Sequence, residues 1–203
     1  MARNLSPKAK QSRRAGADIG IKSKILVKRN YPPGMHGQRV NRRVSAYGTQ
    51  LREKQKAKAI YRLLERQFVK YYERAIRKQG NTGEILLQLL ETRLDNVVFR
   101  LGFAPSRDTA RQLISHGHFL VNGRKLTIPS YEVKVNDLIS VHENRKESAY
   151  WQDVKKLLTK NTTLPSWLTQ DVDKLEGRVE RLPAEDDLKL GIEMPQIVEF
   201  YSR

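Results

Sequence analysis

The spacing of apolar residues changes character several times along the chain. Residues 1–44 carry no apolar period, although Ile19, Ile21, Ile25, Leu26 and Val27 offer some anchoring surface. From Tyr47 to Lys78 the positions Ile60, Leu63, Leu64, Phe68, Tyr71, Tyr72, Ala75 and Ile76 recur at steps of three and four, which predicts one amphipathic helix. Gly80-Asn81 stops it, and Thr82 with Glu84 in the first turn predicts a capped second helix running through Leu90. Leu94, Val97, Val98 and Leu101 form the inner face of a short helix ended by Gly102. After a loop with Pro105, Ser106 is placed to cap a further helix with Ala110, Leu113 and Ile114 inward and Gly117 at its close.

The period then drops to two at Phe119-Leu120-Val121. Asn122-Gly123 signals a hairpin leading into Arg124-Lys125-Leu126, and an Asn136-Asp137 turn precedes a strand from Leu138 to Val141. Ser148 to Lys160 reads as a helix, and Leu164 to Leu168 as a packed turn whose Trp167 covers a core edge. The end, Gln196 to Tyr201, alternates like a strand or an extended tail. The class expected is α+β: a mostly helical first part, then two short helices meeting across a turn and a small antiparallel sheet.

Charge changes this picture. The 203 residues hold 39 Lys and Arg against 22 Asp and Glu, a net +17, and such an excess calls for a polyanionic partner. Residues 1–78 hold 22 of the basic residues against four acids, so the excess is concentrated in the first part of the chain. No run approaches the roughly 18 apolar residues of a membrane span and no signal peptide opens the sequence, so nucleic acid in the cytosol is the expected setting. The absence of cysteine excludes disulfides, thiolate nucleophiles and cysteine-held zinc.

Candidate phosphate contacts follow from position. In residues 1–44, expected to form an extended arm ordered against RNA, they are Arg3, Lys8, Arg13, Arg14, Lys22 and Lys24. On the long helix they are Arg52, Lys54, Lys56, Lys58 and Arg62, part of a basic ridge that also takes in Arg66, Arg74 and Arg77. In the module, Arg93, Arg107, Arg111, His116, His118, Asn122, Arg124 and Lys125 fall at helix ends, on the outward face of the second helix or beside the hairpin. Four dispersed histidines make no metal site, and no metal or other cofactor is expected. No phosphate loop, serine elbow or paired-histidine motif appears, so an enzyme is not expected.

Arg93 to Val141 resembles the small RNA-binding module shared by the fourth small-subunit ribosomal protein, several pseudouridine synthases and bacterial tyrosyl-tRNA synthetases. The flanks choose among them. Pro32-Pro33-Gly34-Met35-His36-Gly37, the run from Tyr47 to Lys56, Gly80-Asn81-Thr82-Gly83 and the ending Ile197 to Arg203 all resemble the ribosomal family. That resemblance implies a basic arm over residues 1–44, a helical first domain over 45–91 completed by 172–203, and the module with its extension over 92–171. It also implies a non-enzymatic constituent of the small ribosomal subunit. Such a protein binds 16S ribosomal RNA at a multi-helix junction, nucleates assembly and bears on translational accuracy beside the fifth small-subunit protein. By the same resemblance Arg39, Arg42 and Arg43 match positions along the path of incoming messenger RNA. Some family members hold zinc with four cysteines in the arm, and this chain departs from them.

Overall fold

The computed structural model describes residues 4, 6–17, 19, 24–39, 44–160, 164–184 and 191–203, apart from the side chains of Lys24, Ile25, Arg39 and Lys160. The chain divides into two compact units, Met1–Leu86 with Leu190–Arg203, and Leu87–Lys189.

In the first unit the helices are α1 (Lys8–Ala15), α2 (Lys24–Lys28), α3 (Ala46–Ile60), α4 (Glu65–Ile76), the start of α5 (Thr82–Glu91) and the closing helix, α10 (Met194–Tyr201). The arm expected to be extended thus contains helix. Its α1 is bracketed by Pro7 and by Gly16 at φ +64, and it packs along α3 although its own residues are strongly polar. Tertiary contacts supply what an apolar stripe did not: buried Ser12 accepts from the Ile19 N–H, and Ile19 is itself buried.

The single helix expected from Tyr47 to Lys78 is two. Between α3 and α4 the chain turns at Tyr61–Leu64, with Arg62 in the left-handed region at φ +55, a conformation costing a non-glycine residue about 1 kcal/mol or more. Tyr61 and Leu63 bury their side chains at this turn, and the Arg62 guanidinium donates to Asn4 O, Ser6 O and Gln11 Oε1. Apolar spacing cannot distinguish this corner from continuous helix, because Ile60 and Leu63 are buried and Leu64 half-buried at the spacing a helix would also give. Asn81, not Thr82, caps α5: its Oδ1 accepts from the Gly83 N–H at 3.0 Å and its amide donates to Glu84.

The ending, expected as a strand or an extended tail, is also helical. Met194, Ile197, Val198 and Tyr201 recur at helical spacing, Pro195 sits in the first turn, and α10 lies on α3. Tyr201 stacks on Tyr72 with centroids 4.6 Å apart, and the Tyr72 hydroxyl donates to Val198 O.

The second unit contains α6 (Leu94–Arg100), α7 (Arg107–Ser115), β1 (Phe119–Val121), β2 (Arg124–Lys125), β3 (Leu138–Val141), α8 (Glu143–Lys146), α9 (Ala149–Lys160), β4 (Leu168–Asp171) and β5 (Glu176–Val179). Ser106 caps α7 by accepting from the Thr109 N–H. Asn122 and Gly123 both take positive φ, 50° and 77°, as a tight hairpin turn requires. The strands form one antiparallel sheet in the order β2-β1-β3-β5-β4. Leu94, Leu101, Phe103, Ile114, Phe119, Ile139, Trp151 and Trp167 make its core, all with essentially no exposure.

The strands β4 and β5 correct the expected boundaries. Residues 172–203 are expected to complete the first domain, yet β5 pairs with β3 on one side and β4 on the other, so the stretch through Val179 belongs to the second unit. Gly177 explains why pattern reading missed them. A Cβ there would lie 2.5 Å from Leu101 Cδ1, so the middle of β5 has no side chain to mark its buried face.

Candidate nucleic-acid interface

In the second unit the expected basic face turns largely inward. Asp95 is 1% exposed; its Oδ1 accepts from Arg93 Nε at 3.0 Å, and its Oδ2 accepts from Arg93 at 2.8 Å and from Arg111 at 2.9 and 2.6 Å. Arg107, also buried, donates from Nε to Asn96 Oδ1 and lies 4.5 Å over the Phe99 ring. Glu91, fully buried, accepts from Asn96 and Arg100. These groups bolt α5 to α6 and α6 to α7 rather than lining an outward face. Asn122 is likewise engaged: its amide donates to Asp137 while its oxygen accepts from the Leu138 N–H. The partners of Arg107, Arg111 and Asn122 lie 11 to 16 residues away in the chain, a separation that helix and strand periodicity does not sample.

His116, Arg124 and Lys125 are exposed as expected. Lys125 runs across Gly117, where a Cβ would lie 2.2 Å from Lys125 Cε, and so lies at the carboxyl end of α7. His118 is half-buried, and its Nδ1 accepts from Trp151 Nε1 at 3.3 Å. Burial, then the charges of Arg145 and His116, hold its pKa below the usual histidine value. The sequence therefore located this cationic corner but omitted Arg145, whose proximity depends on α8 following β3.

In the first unit the expected ridge splits. Lys54 is buried, donates to Glu65 Oε1 at 2.7 Å and lies 4.4 Å over Phe200. Lys58 donates to Glu65 Oε2 at 2.9 Å, Lys56 to Glu53 and to Gly191 O, and Arg62 is occupied as described. Burial pushes the Glu65 carboxyl up, but hydrogen bonds from Lys54, Lys58 and Tyr201 outweigh it and bring the pKa down to about 2. Further along, Arg66, Lys70 and Arg74 on α4 and Arg77 at its C-cap are all exposed at steps of four, four and three, a predominantly cationic stripe about 16 Å long at 1.5 Å per residue, with Glu73 its one acid.

A second cationic surface lies between α1 and α3. Lys10 and Arg14, one turn apart on α1, face Arg52, Gln55 and Lys58 on α3 across a cleft of about 590 Å³ floored by Ala59, Leu63 and Leu64. No carboxylate lines it among the described residues. Lys10 and Gln55 were not among the sequence candidates. Once residues 8–15 are read as helix, the four-residue step from Lys10 to Arg14 is the signal that finds the first of them. Lys8 is half-buried on α1, and Arg13 donates to Tyr31 O and Pro32 O while lying over the Tyr31 ring. Arg3, Lys22, Arg42 and Arg43, with the side chains of Lys24 and Arg39, lie outside the described residues.

Among the described residues no cluster of His, Asp or Glu is placed to hold a metal ion, and no helix is long and apolar enough to cross a membrane.

The family model for the ribosomal protein S4/S9 N-terminal domain matches residues 3–91, and that for the S4 domain matches residues 92–139. Small ribosomal subunit protein uS4 of Herpetosiphon aurantiacus is 50% identical over 211 residues, covering all of both chains. The uS4 of Chloroflexus aurantiacus is 51% identical over 207 residues, and uS4A of Clostridium botulinum 49% over 210, again at full coverage of both. With relatives of this identity along its whole length and both family models in the order its two units require, the chain belongs to the uS4 family of small ribosomal subunit proteins.

Proposed function

We propose that this chain is a structural protein of the small ribosomal subunit that binds 16S ribosomal RNA directly where several RNA helices converge. Membership of the uS4 family makes it a ribosomal RNA-binding protein and not an enzyme. The observation that carries the reading is the exposed cationic stripe Arg66, Lys70, Arg74 and Arg77 in a chain of net charge +17. Converging RNA strands repel one another, and cations presented at helical spacing neutralise their phosphates and release counterions. By lowering that repulsion the protein nucleates subunit assembly, while the cationic corner of His116, Lys125 and Arg124 meets RNA by shape and backbone. Arg93, Arg107 and Arg111 act in this reading through the scaffold they hold.

The finer partners belong to the same proposal. The fifth small-subunit protein is its neighbour, contacts between the two bear on decoding accuracy, and Arg39, Arg42 and Arg43 flank incoming messenger RNA. The protein works in the cytoplasm within the subunit, without metal or cofactor.

The test is the salt dependence of binding to isolated small-subunit RNA. The wild type is expected to lose affinity steeply as salt rises, with a logarithmic slope of about 0.7 to 0.9 per phosphate neutralised. Replacing Arg66, Lys70 and Arg74 together with Ala is expected to lower that slope by about two while leaving the melting temperature in place. A flat salt response, or failure to sediment with the small subunit at moderate salt, refutes the proposal.

A further inference from the structure

We propose that the cleft between α1 and α3 receives one unstacked nucleotide, its base against the apolar floor and its phosphates at the cationic rim. The inference rests on the RNA-binding reading above and gives one part of that surface a different task from the rest. Phosphate neutralisation alone needs only a ridge, and α4 supplies one. The cleft is built otherwise. Its floor, the half-buried Leu64 with Ala59 and Leu63 packed behind it, has no charge to offer a phosphate but suits the face of a base, which is exposed to solvent on both sides when it leaves the stack. Its rim sets Lys10 and Arg14 opposite Arg52, and a guanidinium can take a phosphate in its fork or lie flat on a base. Gln55, exposed on α3 one turn beyond Arg52, brings an amide within the same opening to read a base edge.

Size and rigidity agree. A volume of about 590 Å³ lies within the roughly 300–1,000 Å³ of small-molecule sites, whereas the stacked interior of a duplex offers no single base to such a recess. The wall opposite α3 is held by Arg62, which reaches from the α3–α4 corner to Asn4 O, Ser6 O and Gln11 Oε1, while Gln11 Nε2 donates to Asn4 Oδ1. This accounts for the strained φ of +55 at Arg62: the turn aims its side chain at the segment that closes the cleft. A nucleotide can come from single-stranded RNA or as a free nucleoside phosphate, and the chemistry recognised is the same.

The experiment is photo-crosslinking of the full chain with two probes, a short single-stranded RNA containing 4-thiouridine and free 8-azido-ATP, with cross-linked peptides identified by mass spectrometry. Adducts are expected in the peptides spanning residues 4–15 and 52–64. Gln55→Trp, which fills the cleft without changing charge, is expected to reduce their yield about tenfold. Arg52→Ala provides a second variant at an exposed position, expected to weaken cleft labelling at least fivefold even if Gln55→Trp fails to fold. Labelling at lower concentration by the oligonucleotide assigns the nucleotide to RNA; labelling at lower concentration by the azide assigns it to a free nucleotide. Adducts confined to other segments, or undiminished in both variants, overturn the cleft. If the chain binds RNA with a normal salt slope but leaves the cleft unlabelled, only this inference fails; if it binds no RNA, the function proposed above fails.

Discussion

Replacing Asp95 with Ala tests whether the arginines of α6 and α7 belong to the scaffold. The carboxylate side chain is 2% exposed and is shared by Arg93 and Arg111, whose own side chains are 5% and 12% exposed. Removing it leaves two guanidinium groups facing each other in a nearly dry place. Breaking a buried ion pair from one side costs about 3–5 kcal/mol, because the remaining charges lose the carboxylate they share. For a unit of roughly 100 residues each kcal/mol moves the melting point by about 4–8 °C, so Asp95→Ala is expected to lower it by at least about 10 °C. Arg111→Ala alone leaves Asp95 paired with Arg93 and should cost about 1.5–3 kcal/mol, the range for hydrogen bonds to a charged group.

The readout is built into the chain. Its two tryptophans, Trp151 and Trp167, are both fully buried in the second unit, so their fluorescence follows the unfolding of that unit specifically. A double-mutant cycle of Asp95→Ala and Arg111→Ala, followed by urea unfolding, should give a coupling of about 1–3 kcal/mol. If the coupling falls below about 0.5 kcal/mol, and Arg111→Ala leaves the transition unmoved while RNA affinity drops about tenfold, Arg111 is a phosphate ligand and the scaffold argument is refuted.

Two other perturbations probe the packing of each unit. Glu65 has its folded pKa brought from 4.5 to about 2, a depressed value, so its contribution is complete above about pH 4.5 and is lost as pH falls through 2. Because its side chain is 42% exposed, solvent screening holds that contribution to about 1 kcal/mol. Glu65→Gln should therefore cost about 1 kcal/mol at pH 7 in urea unfolding and flatten the stability profile between pH 4.5 and 2; equal stability at pH 7 would count against the α3–α4–α10 hub. Gly177→Ala puts a methyl 2.5 Å from Leu101 Cδ1 in a core where Leu101 has no exposure, so overpacking of about 1–3 kcal/mol should appear in the tryptophan-monitored urea midpoint. An unshifted midpoint would mean that Leu101 can yield.

Much of the second unit was legible because its signals are local. A capping Ser106, a terminating Gly102, a hairpin Asn122-Gly123 and periods of three to four and then two each involve residues a few positions apart, whose backbone preferences act without the rest of the chain. The class α+β and the antiparallel pairing of the hairpin follow from them. The break at Arg62 was not legible, since a left-handed turn at a non-glycine residue depends on acceptors at Asn4, Ser6 and Gln11, more than fifty residues away.

The same division governs the surface. Sequence by itself determined that the protein carries a charge of +17, concentrated in its first 78 residues, and hence that its partner is a polyanion, because net charge is a sum that folding does not alter. Tertiary structure alone decided which cations stay outside. Arg66, Lys70, Arg74 and Arg77 face solvent, whereas Lys54, Arg62, Arg93 and Arg107 are folded in. The physical reason is that a buried charge must find its counter-charge or its hydrogen-bond acceptors in space, and those partners come from wherever in the chain the packing brings them.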